Sequence, residues 1–154
     1  MKLAVLRAVA ALAATFALPV AVAAAPKPFA GPPAGWSHTV GVTYSSQVPR
    51  AQETWKKSDG ELVTYLEDDG LSYDDSIAAV KKNMVDNNFT ATVDRDRTCD
   101  GHRAHEFEMT LGTAIYHQVI VDDAPGLTKI TYARPQGTPI SADVTSAIAT
   151  YCGS

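Results

Sequence analysis

The chain has 154 residues, 45% of them apolar, with 13 Lys and Arg against 17 Asp and Glu and a formal charge of −4. That composition fits one ordinary globular domain and excludes a membrane-spanning or collagen-like mature protein. The basic residues form no cluster, so neither a nucleic-acid partner nor an anionic-lipid surface is expected.

In chain order, Lys2 and Arg7 form a short positive region, Ala8 to Val22 is almost wholly apolar, and Ala23-Ala24-Ala25 offers small residues for cleavage. Residues 1–25 therefore read as a secretory signal peptide. Pro19 and the Ala-rich end speak against the alternative, an uncleaved anchor helix. No Cys follows the cleavage region, so a lipid anchor is not indicated. Removing the leader leaves 11 basic and 17 acidic residues, a charge of −6, and lowers the apolar fraction to about 38%. Residues 26–35 are rich in Pro, Gly and Ala and read as a linker. The expected product is a single domain over 36–154, periplasmic or secreted, monomeric and free of the membrane once the leader is gone.

Thr39 to Tyr44 is β-branched enough for a first strand. Between Gln52 and Glu67 two strand-like runs flank Ser58-Asp59-Gly60, and a loop of those residues sets Trp55 opposite Val63 and Lys57 opposite Glu61. Ser72 caps a helix whose first turn holds Asp74 and Asp75 and whose apolar stripe is Tyr73, Ile77, Val80 and Met84. Asn87-Asn88 ends it, and Asn88-Phe89-Thr90, formally a glycosylation sequon, reads more simply as that cap.

A meander follows over Thr90–Thr98, Arg103–Met109, Thr113–Val121 and Leu127–Ala133, with connections too short for parallel crossovers. Ser141 caps a last helix with Val144, Ala147, Ile148 and Tyr151 as its stripe. The expected fold class is α+β: an antiparallel sheet, made of N-terminal strands plus a four-stranded meander, with two main helices packed on it.

Cys99 and Cys152 are the only cysteines, and in an oxidising compartment two cysteines allow one pairing, so a Cys99–Cys152 disulfide is expected. A turn at Thr110-Leu111-Gly112 would set His105 opposite His117 on one face, a candidate metal pair that lacks a recognisable third ligand. The ordinary reading is two histidines at the core rim. Glu106 and Glu108 would then face solvent opposite Tyr116 and Ala114, far from the cleft that paired catalytic carboxylates require. Asp94-Arg95-Asp96-Arg97 suggests cross-strand ion pairs on an edge strand. Asp68-Asp69, Asp74-Asp75 and Asp122-Asp123 lack calcium-loop spacing, and Ser45-Ser46 and Ser72 sit in no nucleophile motif. No phosphate-binding glycine loop occurs, so no cofactor and no catalytic residue are expected. Trp36, Trp55 and six tyrosines suit either core packing or an aromatic-lined pocket between sheet and helix.

The order of elements, with Gly35-Trp36, the Cys99-Asp100-Gly101 turn and the terminal Tyr151-Cys152, resembles PsbP-like α/β/α sandwich domains over residues 36–152. The resemblance implies an accessory or binding role and supplies no catalytic residues. This chain lacks the lipobox of the anchored members. The leading expectation is thus an exported, non-enzymatic binding or accessory domain for a small apolar ligand or a protein. The alternatives are an inhibitor that inserts Asp122–Gly126 or Arg134–Pro139 into an enzyme's cleft, and a small metal-dependent hydrolase using His105 and His117.

Overall fold

The computed structural model describes residues 27–29, 31–45, 48–67, 70–123 and 127–152, with the backbone alone at 45, 48 and 148–151. The expected leader, Ser46, Asp68-Asp69, residues 124–126 and the side chains of Ile148 and Tyr151 lie outside that description. Nine elements follow in order: β1 (Trp36–Ser45), β2 (Val48–Lys57), β3 (Leu62–Glu67), α1 (Tyr73–Asp86), β4 (Thr90–Cys99), β5 (His102–Leu111), β6 (Ala114–Val121), β7 (Thr128–Pro135) and α2 (Ala142–Cys152). The strands form one antiparallel sheet in the order β1-β2-β3-β7-β6-β5-β4. Two meanders therefore meet at the β3–β7 seam, and α1 carries the chain from the end of the first to the far edge of the second. No helix among the described residues is long and apolar enough to cross a membrane.

The α+β packing with two main helices is corrected by this architecture. Among the described residues strands take up about half and helices about a fifth, so the sheet is the body of the molecule and the helices are short covers. They lie on opposite faces. α2 covers Trp55, Val63, Val119, Val121, Ile130 and Tyr132, whereas α1 covers Phe107, Met109 and Ile120. A helix about 10 Å wide spans two or three strands spaced about 4.8 Å apart, so neither can cover seven. Val119-Ile120-Val121 records the two-sided cover directly: three consecutive residues are buried, which a one-sided strand could not do.

Part of the expected linker joins the core. Pro28 is buried, and Phe29 packs edge-on against Trp55, with ring centroids 5.5 Å apart. Trp36 closes the same cluster and donates its indole N–H to Asp143 in the first turn of α2 at 3.1 Å.

Local chemistry explains the elements that match expectation. The β2–β3 hairpin has Trp55 opposite Val63, and the Lys57 N–H donates to the Glu61 carbonyl at 2.9 Å, with Gly60 at φ +94°. Ser72 Oγ accepts from the Asp75 N–H at 3.1 Å, and Asn88 leaves α1 at φ 58°. Ser72→Ala should lower stability by about 1 kcal/mol in urea unfolding, and Ser72→Asp should restore most of it. Equal midpoints for Ser72→Ala and the parent chain would mean that water satisfies this helix end equally well.

The β5–β6 hairpin departs from expectation. Its turn is Gly112-Thr113, with Leu111 opposite Ala114, and Gly112 at φ +58° occupies the first central position. A type II′ turn wants glycine there. The register consequently sets His105 opposite Ile120 and His117 opposite Glu108, so His105 and His117 project from opposite faces.

Candidate functional site

The charged residues of β4 and β5 are mutually committed. His105 faces α1, with Nδ1 2.8 Å from Asp96 and Nε2 2.7 Å from Asp94. Lys81 of α1 pairs with the same Asp94 at 3.0 Å. Burial would raise the Asp94 pKa, but Lys81 and His105 outweigh it and hold the carboxyl below its ordinary value. On the other face Glu106 is buried, not solvated as expected. It accepts from Arg95 at 2.7 Å and Arg97 at 3.3 Å, and His117 Nε2 lies 2.8 Å away in ion-pair range without hydrogen-bond alignment. Burial pushes the Glu106 carboxyl up, and Arg95, His117 and Arg97 overcome that and hold it down.

The alternation of β4 thus acquires a reason. Asp94 and Asp96 meet His105 of β5, and Arg95 and Arg97 meet its Glu106, on opposite faces of the same pair of strands. The other candidates are also occupied. Asp122 accepts from Arg103, Asp74 lies 3.7 Å from the same guanidinium, and buried Asp123 accepts from the Thr128 hydroxyl at 2.8 Å. Asp75 serves the α1 cap. Glu108 accepts from Thr92 at 2.8 Å. The 134–139 loop closes on itself through Arg134 donating to the Thr138 carbonyl at 2.8 Å. Among the described residues no group of three His, Cys, Asp or Glu is arranged to hold a metal.

Cavities border both helices. Under α2 an apolar void of about 20 Å³, lined by Val63, Ile130, Tyr132 and Val144, has room for little more than a water. Beside the first half of α1, a polar cleft of about 500 Å³ is lined by the committed charges, including Lys81, Asp96, Arg103 and His105. Along the other flank of α1 runs a groove of about 350 Å³ between Ala79, Val80 and Asn83 above and Met109, Tyr116, Gln118, Lys129 and Thr131 below. Phe89 closes one end, edge-on to Tyr116 at 5.5 Å.

This last groove has polar side chains beside its apolar wall. Gln118 donates its amide to Thr131 Oγ1 at 2.7 Å, which aims its buried Oε1 without a hydrogen-bond partner. A buried acceptor left unpaired costs about 1–3 kcal/mol. No protein-family model and no curated protein matches this chain. The groove's own chemistry is an apolar and aromatic wall, polar side chains at Asn83, Gln118 and Thr131, and Lys129 along one side.

The sequence leaves core packing and an aromatic-lined pocket between helix and sheet as alternatives for its aromatic residues, and does not point to the residues of this groove. Tyr116 joins it, while Trp36 and Trp55 serve the opposite core and Tyr44 is exposed. Gln118, Thr131 and Phe89 were missed. The one signal available was a lone amide immediately before the buried run Val119-Ile120-Val121.

Proposed function

We propose that this protein is an exported, non-enzymatic binding module that takes a small amphipathic molecule in the groove along α1. The groove itself carries the reading, because Val80, Phe89, Met109 and Tyr116 give it an apolar and aromatic wall beside the polar Asn83, Gln118 and Thr131. A volume of about 350 Å³ suits a small ligand with an aromatic or alkyl body. The commitment of His105, Glu106 and Asp94 to intramolecular partners favours binding over catalysis. The export reading is supported by the N-terminal pattern and by the disulfide, which forms where the compartment is oxidising. The resemblance to PsbP-like domains belongs to the same proposal, since it implies a role of this class.

Anilinonaphthalene sulfonate, with an apolar body, an N–H donor and an anionic group, is a suitable probe. Saturable binding to the folded protein is expected. Ala79→Trp, at an exposed helix position over the groove, should abolish it. Absence of saturable binding, or binding indifferent to Ala79→Trp, would end the proposal. Mass analysis of protein recovered from the native envelope or medium tests export, with loss of residues 1–25 expected.

A further inference from the structure

A second surface is independent of the groove. Among the described residues β1 is an edge strand of ten residues that pairs only with β2, in an unbroken register from Trp36 opposite Lys57 to Ser45 opposite Val48. Exposed edges are normally guarded by charges, proline or bulges, because their free backbone groups template pairing with another chain. The opposite edge, β4, is guarded in this way: it carries Asp94, Arg95, Asp96 and Arg97 and has a register shift between Ala91 and Val93. β1 has no Lys, Arg, Asp, Glu or Pro. Its Val40, Val42 and Tyr44 stand in one row, 65%, 67% and 73% exposed.

The sequence of this edge is also symmetric. Ser37-His38-Thr39-Val40-Gly41-Val42-Thr43-Tyr44-Ser45 reads alike in both directions about Gly41, apart from His38 and Tyr44, which are both rings. A two-fold interface requires a patch complementary to itself. An antiparallel strand centred on Gly41 meets that requirement residue by residue: Val40 would face the second copy's Val42, Thr39 its Thr43, His38 its Tyr44 and Gly41 its Gly41. Valine pairs, threonine pairs and aromatic pairs are all favourable cross-strand neighbours, and no like charges oppose.

We propose that β1 is a homodimer interface, in which two copies pair β1 to β1 about a two-fold axis at Gly41 and their sheets become continuous. This replaces the monomer expected from the sequence. A single strand seam is small among specific interfaces, so half-dissociation is expected at about 10–100 μM protein.

Sedimentation equilibrium on the folded, disulfide-intact protein should show a reversible monomer–dimer equilibrium in that range. The double change Val40→Lys with Val42→Lys sets like charges directly opposite at two pairs and should weaken association at least tenfold. The register has its own readout. Gly41→Cys, where an added Cβ meets nothing within 4 Å, should cross-link the dimer under mild oxidation. Val40→Cys alone should not, because its copies would be diagonal neighbours too far apart for a disulfide. A mixture of Val40→Cys and Val42→Cys chains should cross-link only to each other. A monomer at every concentration, or a dimer insensitive to the lysine pair, would overturn the proposal. Cross-linking of Val40→Cys to itself in preference to Gly41→Cys would overturn the axis at Gly41.

Discussion

Glu61→Ala is expected to destabilise the protein by about 3–5 kcal/mol in urea unfolding, a large share of the stability of a small domain. Glu61 is fully buried in the turn between β2 and β3. One carboxylate oxygen accepts from the Tyr132 hydroxyl at 2.6 Å and from the Ser141 N–H at 2.9 Å, and the other lies 3.2 Å from Lys57 Nζ. A single side chain thus fastens the hairpin, β7 and the first turn of α2, where the helix dipole also favours a negative charge. Alanine would leave a hydroxyl and a backbone donor without their acceptor and Lys57 with Asp59 alone. Glu61→Gln keeps one carbonyl oxygen in place and should cost less, about 1–3 kcal/mol. A loss below 1 kcal/mol for Glu61→Ala would show that water replaces the carboxylate and that α2 is not fastened here.

The same group sets a direction for pH. Burial would raise the Glu61 pKa, but the bonds from Tyr132, Ser141 and Lys57 outweigh it, so the folded value lies below the ordinary one. Glu106 and Asp94 are lowered by their own partners. A carboxylate with a depressed folded pKa contributes stability that is complete above its unfolded value and lost as pH falls through the folded one. Melting temperature should therefore be flat near neutrality and fall below about pH 4.5, where unfolded Glu and Asp begin to bind protons first. Glu61→Gln should flatten part of that fall.

Features governed by neighbours in sequence were legible. Ser72, Asp74 and Asp75 announce the start of α1, and the Trp55–Val63 and Lys57–Glu61 pairs fix one hairpin because a single register satisfies both. Features governed by what covers the sheet were not. Gly112 suits both a three-residue bulged loop and a two-residue type II′ turn, since each needs a positive φ somewhere in the turn. With one face assumed buried, the three-residue loop gathers Phe107, Met109, Ile115, Val119 and Val121 together and looks correct. With a helix on each face, Phe107 and Met109 go with Ile120 to α1, while Val119 and Val121 go with Ala104 to α2. The same error of register placed Glu106 in solvent and joined two histidines that the sheet separates. Gln118 was hidden for a related reason: an amide in a strand declares itself only when the partner of each of its atoms is known.

Loss of the Cys99–Cys152 disulfide is expected to cost about 4 kcal/mol, from the chain-entropy cost of a loop this long. The bond joins the end of β4 to the end of α2 across 53 residues, with Cα atoms 4.0 Å apart, and both cysteines are buried among Trp36, Ala104 and Val121. α2 has 11 residues, too few to hold as an isolated helix, so its order depends on what fixes its two ends. Ser141 and Glu61 fix the first, and the disulfide fixes the last. The variant with both Cys99→Ala and Cys152→Ala should therefore show a lower urea midpoint and faster amide exchange in the second half of α2 than in β5 or β6. Detaching that helix would uncover Val63, Ile130 and Tyr132, an apolar surface at the centre of the sheet. Unchanged stability in the double variant, or exchange that rises equally in α2 and the central strands, would show that packing of Val144 and Ala147 alone holds the helix in place.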